Sequence, residues 1–243
     1  RGGGVAPRQS RETKSLGNPT KMSASNIPPA IFAIGRNYPE HAKEMGGAVD
    51  PNPIIFMKNP ASVITDGQSI VIPSICERPS PQVDWEGELA IEIGTTCRNV
   101  RQADALSMVR AYRAANDVSA RWWQKQGSGG QFCRGKSFDT FCPLSQPTRA
   151  DRVANPQDLR IITRVNGVVM QDASTSGMFH SVEKIICALS DGTTLLAGTI
   201  ILTGSPAGVG AARNPPVFLQ NGDVVEVEIP GVGRVRNPVQ SEK

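Results

Sequence analysis

Histidine is nearly missing from this 243-residue chain: His41 and His180 are the whole complement, too few to build an imidazole-rich zinc centre. Cysteine is scarce and badly spaced. Cys76, Cys97, Cys133, Cys142 and Cys187 are odd in number and contain no CxxC pair, which excludes a regular disulfide frame and reads as reduced thiols of an intracellular protein. No run approaches the ~18 consecutive apolar residues that a membrane-spanning helix needs. Against these absences stand 24 glycines and 19 prolines, a turn-rich composition that points to strands. Apolar residues at 39% and charged residues at 20% suit a soluble globular protein, and the length suits one large domain with or without a tail.

The formal charge of +4 is no nucleic-acid signal, because of where it lies. Residues 1–26 hold Arg1, Arg8, Arg11, Lys14 and Lys21 against Glu12 alone, and the remaining basic and acidic residues balance. A nucleic-acid footprint needs a basic face on the domain itself. The segment Arg1–Asn26, rich in Gly, Ser, Pro and Arg, is expected to be a disordered basic tail or the remnant of a transit segment, and Met22 could equally be a start. The folded domain is expected over 27–243, in the cytoplasm or the mitochondrial matrix.

Short strands are expected at Ile31–Ile34, Ile54–Lys58, Ile70–Ile72, Trp85–Ile93 and Thr199–Leu202. Asn166-Gly167 is a hairpin turn between Leu159–Val165 and Val168–Asp172. A second hairpin closes the chain around Pro230-Gly231. Pro39–Met45, with proline at its start and Gly46-Gly47 at its end, reads as a short helix. Ala103–Asn116 and Val182–Leu189 read as further helices from their apolar spacing. Many short strands with a few connecting helices and no repeat make a β-rich α+β fold.

Chemistry concentrates in a few places. On a strand, Asp84, Glu86, Glu88 and Glu92 share one face; they are either a solvated acidic face or, with Gly87 allowing close approach, divalent-cation ligands. Glu226-Val227-Glu228 has the same spacing and reads as a solvated face. Asp117, after Asn116, is a turn residue or a third carboxylate, according to whether the fold brings it to Glu86 and Glu88. Three carboxylates form a hard-oxygen set suited to Mg²⁺ or Mn²⁺. His41 and Glu44 lie three apart on the short helix, where a carboxylate can orient an imidazole as a general base; the alternative is a surface pair. Gly46-Gly47 reads as a hinge, making this helix a lid. Lys136 follows a glycine-rich loop and is either a surface lysine or a partner for an anionic substrate. Thr203-Gly204-Ser205 is an anion nest or a plain turn, and His180 reads as structural.

In order along the chain, Gly35-Arg36-Asn37-Tyr38 with His41 and Glu44, Trp85-Glu86-Gly87-Glu88-Leu89-Ala90, Asn116–Arg121, Gly135–Thr140, Val165-Asn166-Gly167, Thr203–Gly210 and Gly222-Asp223-Val224 together resemble the fumarylacetoacetate hydrolase family in its short form. The resemblance implies a mixed β-roll with an incomplete barrel, and a homodimer. It implies Glu86, Glu88 and Asp117 as ligands of Mg²⁺ or Mn²⁺, and His41 with Glu44 as the water-activating pair on a mobile lid. Lys136 would offset developing charge, and Arg121, Gln124, Gly204 and Ser205 would contact substrate oxygens. Two positions depart from the family: Ser205 stands where threonine is usual, and Phe179-His180 where hydrophobic residues are. The expected reaction is hydrolysis of a carbon–carbon bond in a 2,4-dioxo acid such as acetylpyruvate or fumarylpyruvate. Oxaloacetate decarboxylation or keto–enol tautomerisation on the same site is the alternative, and a catalytically silent binding protein a second one. Neither nucleic acid nor membrane is expected as a partner.

Overall fold

Gly87–Ile93 is buried at every position, and its two-sided burial sets the architecture of the computed structural model, which describes residues 27–242. The expected tail over 1–26 lies outside the described residues. A strand covered on both faces needs a packed layer on each side, and this one also has a paired neighbour at each edge. A six-stranded mixed sheet is built from β1 (Ile31–Gly35), β2 (Ile54–Lys58), β4 (Gly87–Ile93), β5 (Val109–Asn116), β6 (Thr148–Arg149) and β9 (Ile200–Leu202). Its order is β6-β5-β4-β9-β1-β2, antiparallel except where β1 runs parallel to β9.

A five-stranded sheet is made of β3 (Ile70–Ile72), β7 (Arg160–Val165), β8 (Val168–Ser174), β10 (Val224–Ile229) and β11 (Gly233–Ser241), in the order β8-β7-β10-β11-β3. Its hairpin turn carries Asn166 at φ 52° and Gly167 at φ 80°, the left-handed pair that a two-residue hairpin of this hand needs. Leu89, Ile91 and Ile93 pack on one side with Val182, Ile185, Ile186 and Leu189 of helix α4 (Val182–Ser190) and with Val227 and Ile229 of β10. Ala90 meets Ile31, Ala33, Ile200 and Leu202 on the other. Trp85, fully buried among Ile70, Val118, Phe141 and Val225, ties the two sheets together. The strand-rich architecture with helices only in the connections is the β-rich α+β fold read from the sequence.

Two expectations need correction. The helix expected over Ala103–Asn116 is a 3-10 segment, Gln102–Met108, followed by strand β5. Ala105, Met108, Val109 and Tyr112 do recur at helical spacing, but β4 offers an unpaired edge whose buried N–H and C=O groups need partners. β5 supplies them from Gly87↔Asn116 to Ile93↔Val109, so tertiary pairing overrides the local period. The strand expected over Trp85–Ile93 breaks at Trp85-Glu86, between Val83–Asp84 and β4, so Asp84 leaves the shared acidic face, while Glu92 stays on the face of Glu88 but finds arginine partners of its own. Glu92 pairs with Arg113 at 2.8 Å and with Arg110, and Asp84 turns to Arg121 at 2.7 Å.

Gly87 is required by closeness: a Cβ there would come within 2.0 Å of Thr163 Oγ1 and 3.3 Å of Val227 Cγ1. Gly87→Ala is therefore expected to lose about 1–3 kcal/mol of stability, as overpacking does, and to weaken divalent-cation binding by parting Glu86 from Glu88. Urea denaturation with and without Mg²⁺ checks both effects.

Candidate active site

The register of β4 and β5 decides what meets. Gly87 lies opposite Asn116, and one residue beyond each strand the Asp117 N–H donates to the Glu86 carbonyl at 2.8 Å. The Asn116 side-chain oxygen accepts from the Glu86 N–H at 3.0 Å. These bonds hold Glu86 and Asp117 side by side, and Glu88 follows on the same side of β4. One carboxylate oxygen from each of the three lies within 4.8 Å of the others, and all three residues are buried. It is the one such cluster of potential ligands among the described residues. Glu226 and Glu228 instead face Arg164 at 3.1 and 2.7 Å.

The cluster carries its own counter-charges. Lys136, on helix α3 (Phe132–Lys136), donates to Glu86 Oε2 at 2.5 Å and Asp117 Oδ2 at 2.7 Å. Arg121, opening helix α2 (Arg121–Gln124), donates through NH1 to Glu86 Oε1 at 2.6 Å and through Nε and NH2 to Asp84 Oδ2 at 2.9 and 2.7 Å. Lys58, at the end of β2, donates to Asp117 Oδ1 at 2.6 Å. Four acids, Asp84, Glu86, Glu88 and Asp117, thus face three cations, one positive charge short. The shortfall falls on Glu88. Burial, reinforced by Asp117 and Glu86, pushes its carboxyl well above the ordinary 4.5 despite Lys136 and a hydrogen bond from the Gly204 N–H. Glu86 moves the other way: burial opposes ionisation, but Lys136 and Arg121 hold it well below that value. A buried, oxygen-only donor set with one uncompensated negative charge fits a divalent cation.

The short helix α1 (Pro39–Glu44) forms the other wall. His41 Nδ1 lies 2.7 Å from Glu44 Oε1, and the Glu44 carboxylate accepts from the Gly208 N–H at 3.0 and 3.2 Å. The imidazole is therefore oriented from one side, and the helix is fastened to the loop after β9. A pocket of about 650 Å³ is lined by His41, Glu86, Glu88, Arg121, Gln124, Lys136 and Ser205, among others.

Two placements differ from expectation. The Gly204 N–H is committed to Glu88 Oε2 at 2.7 Å, because Gly204 at φ 99° closes against Asn37, so the nest points to the acid rather than to a ligand. Arg121 is likewise held by Asp84, Glu86 and Gln124. Ser205 Oγ accepts from Gln171 Nε2 at 2.8 Å and faces the pocket. His180 is structural, its main chain bonded to the Asn37 side chain. Lys58 and Gln171 are not among the expected site residues, and Asp84, expected on the shared acidic face, instead serves the site by holding Arg121. For Lys58 there was a signal: along Ile54–Lys58 the inward positions are Phe56 and Lys58 while Ile55 and Met57 face out, an inverted pattern that apolar counting misses.

The Fumarylacetoacetate (FAA) hydrolase C-terminal profile matches residues 30–240, nearly all of the described chain. The chain belongs to the fumarylacetoacetate hydrolase family. Among relatives of this family, the human protein named oxaloacetate tautomerase FAHD2A, mitochondrial, is 42% identical over 221 residues, covering 90% of this chain and 69% of the relative. The fumarylacetoacetate hydrolase of Exiguobacterium antarcticum superposes with a TM-score of 0.79 at 41% identity, over 89% of this chain and 76% of that one. The 5-carboxymethyl-2-hydroxymuconate delta-isomerase of Mycobacterium smegmatis gives 0.77 at 38%, over 89% and 80%. The family assignment thus covers enzymes of more than one reaction type, with the strand-rich fold in common.

Two outcomes follow from the charge balance. Because Glu88 holds a proton well above the usual carboxylate range, a divalent cation entering the triad is expected to displace it; affinity for Mn²⁺ should rise with pH, and calorimetry in buffers of different ionisation enthalpy should register proton release. Lys58→Met leaves Asp117 short of a buried cation and should cost about 3–5 kcal/mol in the metal-free protein, part of it restored by Mg²⁺ in a denaturation experiment.

Proposed function

We propose that this chain is a divalent-cation-dependent enzyme that moves a proton within a 2-oxo acid through its enolate, with oxaloacetate keto–enol tautomerisation as the reaction. The observation that carries this reading is the opening of an oriented imidazole, His41, onto the same pocket as the buried Glu86–Glu88–Asp117 triad. The relatives named oxaloacetate tautomerase, alike over nine-tenths of the chain, favour it over the carbon–carbon bond hydrolysis expected from the sequence. Hydrolysis of an acylpyruvate stays as the second reading, because a histidine held by a carboxylate can equally deprotonate water.

Glu86, Glu88 and Asp117 would hold Mg²⁺ or Mn²⁺. When bound, the ion supplies a Lewis acid that draws negative charge onto the 2-oxygen of the substrate and so acidifies the neighbouring C–H. His41 keeps its Nδ1–H on Glu44 and presents Nε2 as the acceptor for that proton, which returns to the 2-oxygen to give the enol with no net loss of atoms. Lys136 and Lys58 hold Asp117 in place, and Arg121 does the same for Glu86. The Gln124 amide N–H groups, and the Ser205 hydroxyl on giving up its long bond to the Pro206 carbonyl at 3.3 Å, are the donors left to meet substrate oxygens. We assign Arg121 and Gly204 to positioning, since their donors are engaged by acids.

No helix among the described residues is long and apolar enough to cross a membrane. The mitochondrial relatives support the organelle reading of the basic segment 1–26. Ile55 and Met57, each 44% exposed on the edge strand β2, support a homodimer, since an apolar edge strand invites pairing with a second chain.

The reaction is tested by adding Mg²⁺-loaded protein to oxaloacetate and following the enol absorbance. Faster equilibration is expected, falling by roughly 10²–10⁴ in His41→Ala, the usual worth of a general base. Unchanged equilibration alongside pyruvate release from acetylpyruvate would give the hydrolase reading instead. No activity, together with no divalent-dependent thermal shift, would leave a silent binding protein.

A further inference from the structure

Arg36 is the anomaly of the pocket. It follows β1 directly, holds φ at 51°, a left-handed conformation that costs a side-chain-bearing residue strain, and lines the same pocket as His41, Glu88 and Ser205. The arginines nearest the acids are all spent: Arg121 on Asp84 and Glu86, Arg113 on Glu92. Arg36 is half-buried and, among the described residues, has neither an ion pair nor a hydrogen bond. Its guanidinium lies over the end of the α1 helix, so close that a Cβ on Gly47 would come within 2.3 Å of NH1. Glycine at 47 is thus what lets the cation rest there.

We propose that Arg36 reads a second carboxylate, at the end of the substrate remote from the acid triad, and so selects dicarboxylic 2-oxo acids over monocarboxylic ones. This rests on the 2-oxo acid reading of the site. The chemistry is that of the guanidinium: a planar fork of donors that matches a carboxylate with two parallel hydrogen bonds. The acids that line the pocket, Glu86 and Glu88, are engaged by Lys136, Arg121 and the Gly204 N–H, which leaves Arg36 to an outside anion. The pocket's other cation with no ion pair among the described residues, Lys125, is exposed at the rim, where water weakens its pull. A carboxylate on Arg36 would also bridge β1 to the helix that carries His41, linking recognition of the remote end to the position of the base.

A matched pair of inert ligands tests the assignment apart from catalysis. 2-Oxoglutarate and 2-oxopentanoate have the same carbon count and differ in whether the far end is a carboxylate or a methyl. Titrated calorimetrically into the Mg²⁺-loaded protein, the diacid is expected to bind roughly ten- to a hundredfold more tightly, the range of a charge-assisted pair. Arg36→Met should erase that preference while leaving 2-oxopentanoate binding unchanged. Arg36→Gly, which removes the strained side chain, should erase it too without lowering the melting temperature. Equal affinity for the two ligands in the unaltered protein, or a preference that survives both substitutions, overturns the assignment whichever reaction the enzyme catalyses. A preference lost in Arg36→Met together with absent oxaloacetate tautomerisation in the unaltered protein would support Arg36 and remove the tautomerase reading alone.

Discussion

A single main-chain hydrogen bond, from Asp117 N–H to the Glu86 carbonyl, is the point on which the site depends. It extends the β4–β5 ladder one rung past Gly87↔Asn116, at the place where both strands end. Carboxylates thirty-one positions apart in the chain become neighbours because the ladder allows no other register: a slip by one residue would turn Leu89 and Ile91 out of the core. The hydrophobic effect thus sets the geometry of the most polar part of the molecule. The packing of Leu89, Ile91 and Ile93 against α4 and β10 is where the energy comes from.

Bringing those acids together has an electrostatic cost, and the surrounding residues show how it is met. Lys58, Lys136 and Arg121 arrive from β2, α3 and α2 and take up three of the four buried charges. The remaining charge falls on Glu88, whose carboxyl is pushed well above the usual carboxylate range by burial and by Asp117 and Glu86. An apolar core in this position would be more stable, since buried ion pairs seldom repay their desolvation. What the network does is leave the site short of one positive charge. On the opposite wall, the contact between Glu44 and the Gly208 N–H joins the helix that carries His41 to the loop whose Gly204 N–H holds Glu88. The position of the imidazole and that of the acids are therefore set by one loop.

Much of this was legible in order. Glu86, Glu88, Asp117, His41, Glu44 and Lys136 stood out as reactive types in turn- or strand-compatible settings, and the pocket collects all but Glu44 and Asp117 along its lining. The misses have physical causes. Ala103–Asn116 has small and apolar residues at both helical and strand periods, and only the unpaired edge of β4 decides between them. Lys58 ends a strand that alternates the wrong way for a simple amphipathic reading, because the inner face of β2 looks onto a charged cluster. Thr203-Gly204-Ser205 reads as an anion nest because a turn after a buried strand offers backbone N–H groups and a hydroxyl; which anion the Gly204 N–H meets depends on a strand more than a hundred residues away.

The strand-rich class, the hairpin at Asn166-Gly167, the short proline-started helix and the chemical types available for a reaction follow from the amino-acid order alone. These rest on local periodicity, turn stereochemistry and side-chain identity, all properties of a few neighbouring residues. Tertiary contacts were needed to make β5 a strand, to bring Asp117 to Glu86 and Glu88, to turn Arg121 and the Gly204 N–H to acids, and to leave Arg36 without an acid partner among the described residues. Those outcomes depend on contacts between segments far apart in the chain, where burial and the pairing of backbone groups outweigh any local preference.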